Sequence, residues 1–247
     1  MARALPLQLQ RQKLYPLENE QERRDHIRAD PQGDVLRVGL LSEATRRQLY
    51  RYVSGTSRAV SREEAAEGAD VPVHTAKFHL DKLVEGGLLV TEFHKLTGRT
   101  GPGSGRPSKH YRRNEAEISV TLPPRHYDLL SMVLVDAVAI ASDTGEPAQT
   151  ALTRVARDAG RDVGREHAEG GDLAMALRSC GYEPAAVDQD VILRNCPFHQ
   201  AVTLHPELVC GLNLDFITGL LEGLGGARGE ARLAPAPGQC CVKVRVS

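Results

Sequence analysis

Residues 61–113 place the tightest constraint on what this chain can fold into. They hold two helical patterns split by a short turn, then paired glycines, then two strand-like runs around a Gly/Pro/Ser segment. Ser61 and Glu64 stand three apart ahead of "REEAAEGA", where a hydroxyl and a carboxylate can each satisfy a free N–H at a helix start. Gly68 is expected to stop that helix. After the turn "GADV", Pro72 suits the first position of the next helix, because its fixed φ is helical and its missing N–H is not needed there. Ala76, Leu80, Leu83 and Val84 follow at helical spacing, and Gly86-Gly87 end the element. "LLVTEFHKL" then reads as a strand, "TGRTGPGSGRPS" as a flexible tip and "KHYRR" as a returning strand.

Just upstream, Ser42 is the expected cap of "EATRRQLYRYV", whose Leu49, Tyr52 and Val53 form a modest apolar face. Helix, helix, turn, helix and basic hairpin over residues 34–114 together describe a winged helix-turn-helix domain. Residues 1–33 are polar, contain Pro6, Pro16 and Pro31, lack sustained periodicity, and read as a flexible arm.

Charge supports a polyanionic partner for this half. Residues 1–114 hold 20 Lys and Arg against 14 Asp and Glu, a net of +6, whereas residues 115–247 hold 11 against 18, a net of −7. Such a split points to one half meeting nucleic acid. A recognition helix reads the major groove with polar side chains near its N-terminus. His74, Thr75, Lys77 and His79 are the candidates there. The wing segment 93–113 carries Lys95, Arg99, Arg106, Lys109, Arg112 and Arg113 and no acidic residue. Of these, Arg99, Arg106, Lys109 and Arg112 are taken as phosphate or minor-groove contacts. Arg46, Arg47 and Arg51 are read as a solvated helix face.

Beyond residue 114, "ISVTL" reads as a strand. "RHYDLLSMVLVDAVAIASD" is apolar on nearly every side, as a helix buried in a core or between subunits would be. Residues 115–145 are therefore assigned to a linker and dimerisation helix, and 146–247 to a separate α/β domain. In that domain 147–168 is an amphipathic helix, "VILRN" a strand, and "PELVCGLNLDFITGLLEGLG" a second helix. "CCVKVRV" alternates like an edge strand. The expected class is thus α+β, mostly helical.

Four of the five cysteines, Cys196, Cys210, Cys240 and Cys241, fall in the last 52 residues, a clustering that suits metal or redox chemistry better than disulfides. Thirteen residues separate Cys196 from Cys210, and 29 separate Cys210 from Cys240, so no zinc-ribbon spacing is present. Cys196 is expected at a helix N-cap, with Pro197 following, and Cys210 in the first turn of the next helix. Both thiols would then be acidified by helix dipoles. Cys241, His199 and His205 are secondary candidates, and Cys180 is read as a structural thiol.

"VHTAKFHLDKLVEGGLL" with "GRPSKHYRR" resembles the winged-helix regulators of the ArsR-like and related bacterial families. That resemblance implies sequence-specific binding to double-stranded DNA, usually by a homodimer on an inverted repeat. "NCPFHQAVTLHPELVCGLNLDFITGLLEGLG" with "GQCCVKV" resembles the sensor domain of SufR-type iron–sulfur repressors. It implies an iron–sulfur cluster, [4Fe–4S], ligated by Cys196, Cys210 and Cys240. A zinc site or a thiol–disulfide sensor at the same cysteines is the alternative. An enzyme is not expected, because a Cys196 nucleophile with a His199 base lacks an evident orienting group. No apolar run reaches the roughly 18–20 residues of a membrane span, and a cytoplasmic regulator is the expectation.

Overall fold

The structure, a computed structural model, describes residues 31–94, 107–225 and 229–246. These fall into two compact units divided between Val120 and Thr121. Most of the arm expected over 1–33 lies outside the described residues.

The first unit begins with α1 (Pro31–Leu40) and α2 (Ala44–Ser54). Glu43, not Ser42, caps α2: its carboxylate accepts from Thr45 N at 2.9 Å and Arg46 N at 2.7 Å. A carboxylate reaches two free N–H groups where a hydroxyl reaches one, and its charge suits the helix's positive end. Strand β1 (Val60–Ser61) leads into α3 (Arg62–Gly68), where the expected capping box is present. Asp70 takes the left-handed turn to α4, at φ 50°, a conformation that Asp tolerates better than most residues. Helix α4 spans Val73–Glu85 with Pro72 as its N-cap, one position earlier than expected, and Gly86 as its C-cap.

Strands β2 (Leu89–His94) and β3 (Ser108–Arg113) pair antiparallel, and β1 adds to β3 to give the order β1-β3-β2. Leu49, Val53, Ala65, Ala76, Leu80, Leu83, Leu89 and Tyr111 fill the core between the helices and this small sheet. The strand expected at "ISVTL" does not form; residues 118–122 contain neither strand nor helix.

The capping box gives a direct prediction. The hydrogen bond from Arg58, then that from the Ser61 backbone, holds the Glu64 carboxyl down from 4.5 to about 2. A depressed carboxylate stabilises the fold above its unfolded value, and that contribution is lost as pH falls from about 4.5 towards 2. Glu64→Gln should therefore flatten the acid limb of the stability curve in this window. Ser61→Ala should cost about 1 kcal/mol in denaturant unfolding at neutral pH.

The second unit holds α5 (Tyr127–Thr144), α6 (Ala148–Glu166), α7 (Leu173–Ser179), β4 (Pro184–Val187), β5 (Asp190–Leu193), α8 (His199–Leu204), α9 (Pro206–Gly223), β6 (Glu230–Leu233) and β7 (Val242–Arg245). Its antiparallel sheet runs β4-β5-β7-β6. The final strand is thus central, not at the edge. Val242 and Val244 are fully buried, while on the other face Arg245 pairs with Asp190 at 3.2 Å.

Helices α6 and α9 cross closely enough to exclude side chains. A methyl group at Gly160 would lie 1.9 Å from the Phe216 carbonyl oxygen, and one at Gly219 would lie 1.9 Å from that of Arg157. Gly164 and Gly223 repeat the pattern one turn along, each with a backbone atom about 2.2 Å from the added carbon. At the rim, Arg157 and Arg161 both donate to Glu222. Leu129, Leu130, Val133 and Ala137 of α5 pack into this unit's core, whereas Val135 and Val138 remain 62% and 60% exposed.

Candidate nucleic-acid interface and thiol site

Helix α4 buries Ala76, Leu80 and Leu83, which turns the opposite side of its first turns to solvent. His74, Lys77 and Phe78 are exposed there, and Thr75 is half-buried. His79 lies off this face. Its side chain is only 13% exposed, and Nδ1 sits 3.5 Å from Glu43, the cap of α2. The helical period that places His74 and Lys77 outward carries residue 79 back toward the start of α2. Phe78, by contrast, was not singled out by sequence reasoning, yet is 58% exposed at the centre of the face. The signal was its spacing from Lys77 and His74, opposite Ala76 and Leu80.

The wing cations divide. Lys109 donates to Asp81 of α4 at 2.6 Å, and Tyr111 OH reaches the same carboxylate at 3.3 Å. Burial first, then Asp81, pushes the Tyr111 phenol up to about 12. Asp81 therefore braces the wing against the recognition helix. Arg112 bonds Glu92 at 2.8 Å and Glu115 at 2.5 Å. Two of the expected phosphate contacts are thus committed to internal ion pairs, Lys109 with Asp81 of α4 and Arg112 with Glu92 and Glu115, which flank the stretch that looked uniformly basic. Lys95, Arg99 and Arg106 lie outside the described residues. Arg47 is also committed, bonding the Leu41 carbonyl at 2.7 Å.

In the second unit, three distant stretches bring four thiols together. Cys196 lies in the turn after β5, Cys210 on α9, and Cys240 and Cys241 in the bend before β7. Cys240 lies near enough to Cys196 and Cys241, and Cys241 to Cys210, for these thiols to shift one another's acidity. The bend is pinned on both sides: Cys240 N donates to Leu193 O at 2.8 Å, and Ala234 N to Cys241 O at 2.7 Å. Both residues precede the strand rather than sit within it.

The N-cap expectation for Cys196 is overturned. The chain turns through Pro197 and Phe198 before α8, and it is the Cys196 carbonyl that accepts from His199 N, at 3.2 Å. Cys210 is the fifth residue of α9, past its first turn. The expected acidification is overturned as well. The contact with Cys240, then burial, raises the Cys196 thiol, and burial raises Cys210 against the opposing contact with Cys241. Cys240 is pushed up to about 11: the Cys196 contact favours its thiolate, but Cys241 and burial outweigh it. Removing thiolates from water, beside other sulfurs, outweighs the field of a helix end.

Several donors face these sulfurs. Asn213 Nδ2 donates to Cys240 Sγ at 3.1 Å, and the backbone N–H groups of Phe198 and Val242 favour the thiolates of Cys196 and Cys240. Asn213 is fully buried, and its oxygen accepts from Tyr182 OH. Neither Asn213 nor Tyr182 was anticipated; a lone asparagine within the apolar run "GLNLDFITGLL" was the available hint. His199 and His205 are exposed at the two ends of α8. Cys180 is buried, and burial pushes its thiol up to about 12. Among the described residues no group of three or more His, Cys, Asp or Glu side chains is arranged to hold a metal ion as it stands.

Residues 41–92, from the end of α1 into β2, match the family model described as a helix-turn-helix domain. The chain carries a helix-turn-helix DNA-binding domain. The match lies within the first unit and supports a DNA-binding transcriptional regulator. No curated protein and no solved structure matches the chain. No helix among the described residues is long and apolar enough to cross a membrane.

Proposed function

We propose that this chain is a homodimeric transcriptional repressor whose affinity for an inverted-repeat operator is set by an iron–sulfur cluster, [4Fe–4S], at Cys196, Cys210 and Cys240. The observation that carries this reading is the convergence of thiols from three separated stretches, with N–H donors aimed at two of the sulfurs. Thiolate ligands favour clusters, zinc or Cu(I), and hydrogen bonds to sulfur tune cluster potential. The donor chemistry therefore suits the group, while no three of these side chains are arranged to hold a metal as they stand, so the thiols must rearrange in order to ligate it. When bound, such a cluster supplies an oxidant-sensitive crosslink among the three stretches. Asn213, the Val242 N–H and the Phe198 N–H then stabilise charge on the sulfurs.

On the DNA side, Lys77 supplies phosphate attraction, and His74 and Phe78 face the base edges, Phe78 being suited to a thymine methyl. The first N–H groups of α4 carry no side-chain cap, so they can meet a phosphate. A second copy of the chain is the proposed partner of α5 through Val135 and Val138. Lys77→Ala should weaken binding about equally on all sequences and lower the salt slope by about 1. Phe78→Ala should instead cost roughly 1–3 kcal/mol at one base position and relax preference there. Fluorescence anisotropy across a salt series on a duplex selected from a randomised pool separates the two.

A second reading has its own support. Cys196 neighbours Cys240, and Cys210 neighbours Cys241; a disulfide formed within either pair would release two protons and give two electrons to a hydroperoxide. Anaerobic purification with absorption spectra and iron, sulfide and zinc analysis decides. Iron and sulfide in equal amounts support the cluster. A colourless, iron-free chain whose DNA affinity responds to peroxide overturns it in favour of the thiol pairs, and bound zinc overturns it in favour of a zinc site.

A further inference from the structure

We infer that Arg125 and Asn195 are positioning residues that couple the Cys196 loop to the start of α5. The inference rests on the reading of Cys196 as a ligand. Asn195 is buried, and both its amide hydrogens and its amide oxygen are engaged. Its Nδ2 donates to Pro124 O and to Gly181 O, each at 2.7 Å, and its Oδ1 accepts from Arg125 Nη1. The same Arg125 nitrogen donates to Cys196 O at 2.7 Å. One step further on, His126 N donates to Pro197 O at 3.3 Å. Residues 124–126 are thus bonded, residue after residue, to residues 195–197.

This juxtaposition matters because of what each strand of the ladder leads to. Residues 124–126 are the last before α5, and the connection from the helix-turn-helix unit enters α5 through them. Residues 195–197 contain the thiol that must part from Cys240 for ligation. A buried, saturated amide resists any motion of one side alone, since a broken bond would leave an unsatisfied group away from water. Displacing Cys196 therefore moves Pro124, Arg125 and His126 with it. Gly181 contributes the same lock from a third side: a methyl there would lie 2.6 Å from the His126 ring.

Hydrogen–deuterium exchange on the full chain tests this, with metal-free protein compared with protein reconstituted anaerobically with iron and sulfide. In the wild type, loading should slow exchange at the amides of 126–130 by roughly 10- to 100-fold, the equivalent of one charge-assisted hydrogen bond. In Arg125→Gln the difference between loaded and free should shrink to within about twofold at unchanged iron content, because the ladder then lacks its ionic rung. Should that variant fail to fold, Arg125→Met, which keeps the stem and drops the donors, carries the same comparison. Full slowing in a variant that loads iron normally overturns the coupling and leaves the proposed function standing. A wild type that loads iron without any change at 126–130 does the same. A wild type that takes up no iron overturns the proposed function, and the coupling falls with it.

Discussion

Gly219→Ala should unfold the second unit at a temperature on the order of 10 °C below wild type, while Gly211→Ala, eight residues earlier on the same helix, should stabilise it. Alanine is the better helix former by about 1 kcal/mol at either position. The difference lies in what the added methyl meets. At Gly219 it would lie 1.9 Å from the Arg157 carbonyl oxygen, a backbone atom of α6 that cannot step aside, whereas at Gly211 there is nothing within 4 Å. Overpacking typically costs about 1–3 kcal/mol and occasionally more, and a backbone obstacle belongs at the upper end. Each kcal/mol moves the midpoint by roughly 2–4 °C in a chain of this size. Differential scanning calorimetry of the two variants side by side measures the effect. Equal midpoints would mean that the helices do not approach as described.

Cys240→Ser should abolish retention of iron and sulfide, and Cys180→Ser should leave it intact. Cys240 is the hub of the thiol group, neighbouring Cys196 and Cys241 and receiving the Asn213 amide. A serine hydroxyl keeps the size and the hydrogen bond but offers a hard oxygen where soft thiolate is needed. Cys180 is buried beside Ser179, with Sγ 3.9 Å from its hydroxyl. Cys241→Ser is informative between these extremes, since Cys241 shares the bend with Cys240 and sits near Cys210 of α9. Iron and acid-labile sulfide per chain after anaerobic reconstitution are the quantities to measure. Retention by Cys240→Ser would remove this residue from the ligand set.

What could be read from residues alone followed the range of the forces involved. The α3 capping box, the Gly86 stop and the α4 periodicity depend on neighbours within one or two turns, and all three form as expected. Ser42 and Pro72 were each misplaced by one position, because Glu43 and Val73 compete for the same helix start and only geometry decides. The sheet order was not legible: the β5–β7 pairing joins residues more than fifty positions apart, and nothing in "CCVKVRV" marks it as central. The thiol acidities were misjudged for a related reason. A helix-dipole argument sees only the local chain, whereas burial and the neighbouring sulfurs come from elsewhere in the sequence. Gly160, Gly164, Gly219 and Gly223 were visible as pairs four apart, yet their meaning required knowing that α6 and α9 face each other. The committed states of Lys109 and Arg112 were hidden because Asp81, Glu92 and Glu115 lie outside the basic stretch.

The central position of β7 has a consequence for biosynthesis. The sheet cannot close, nor the Cys240–Cys241 bend be pinned, until residues 242–245 have left the ribosome. The helix-turn-helix unit is complete by residue 120 and can fold while the rest of the chain is still being made. A nascent chain therefore has the means to contact DNA before it has a finished thiol site.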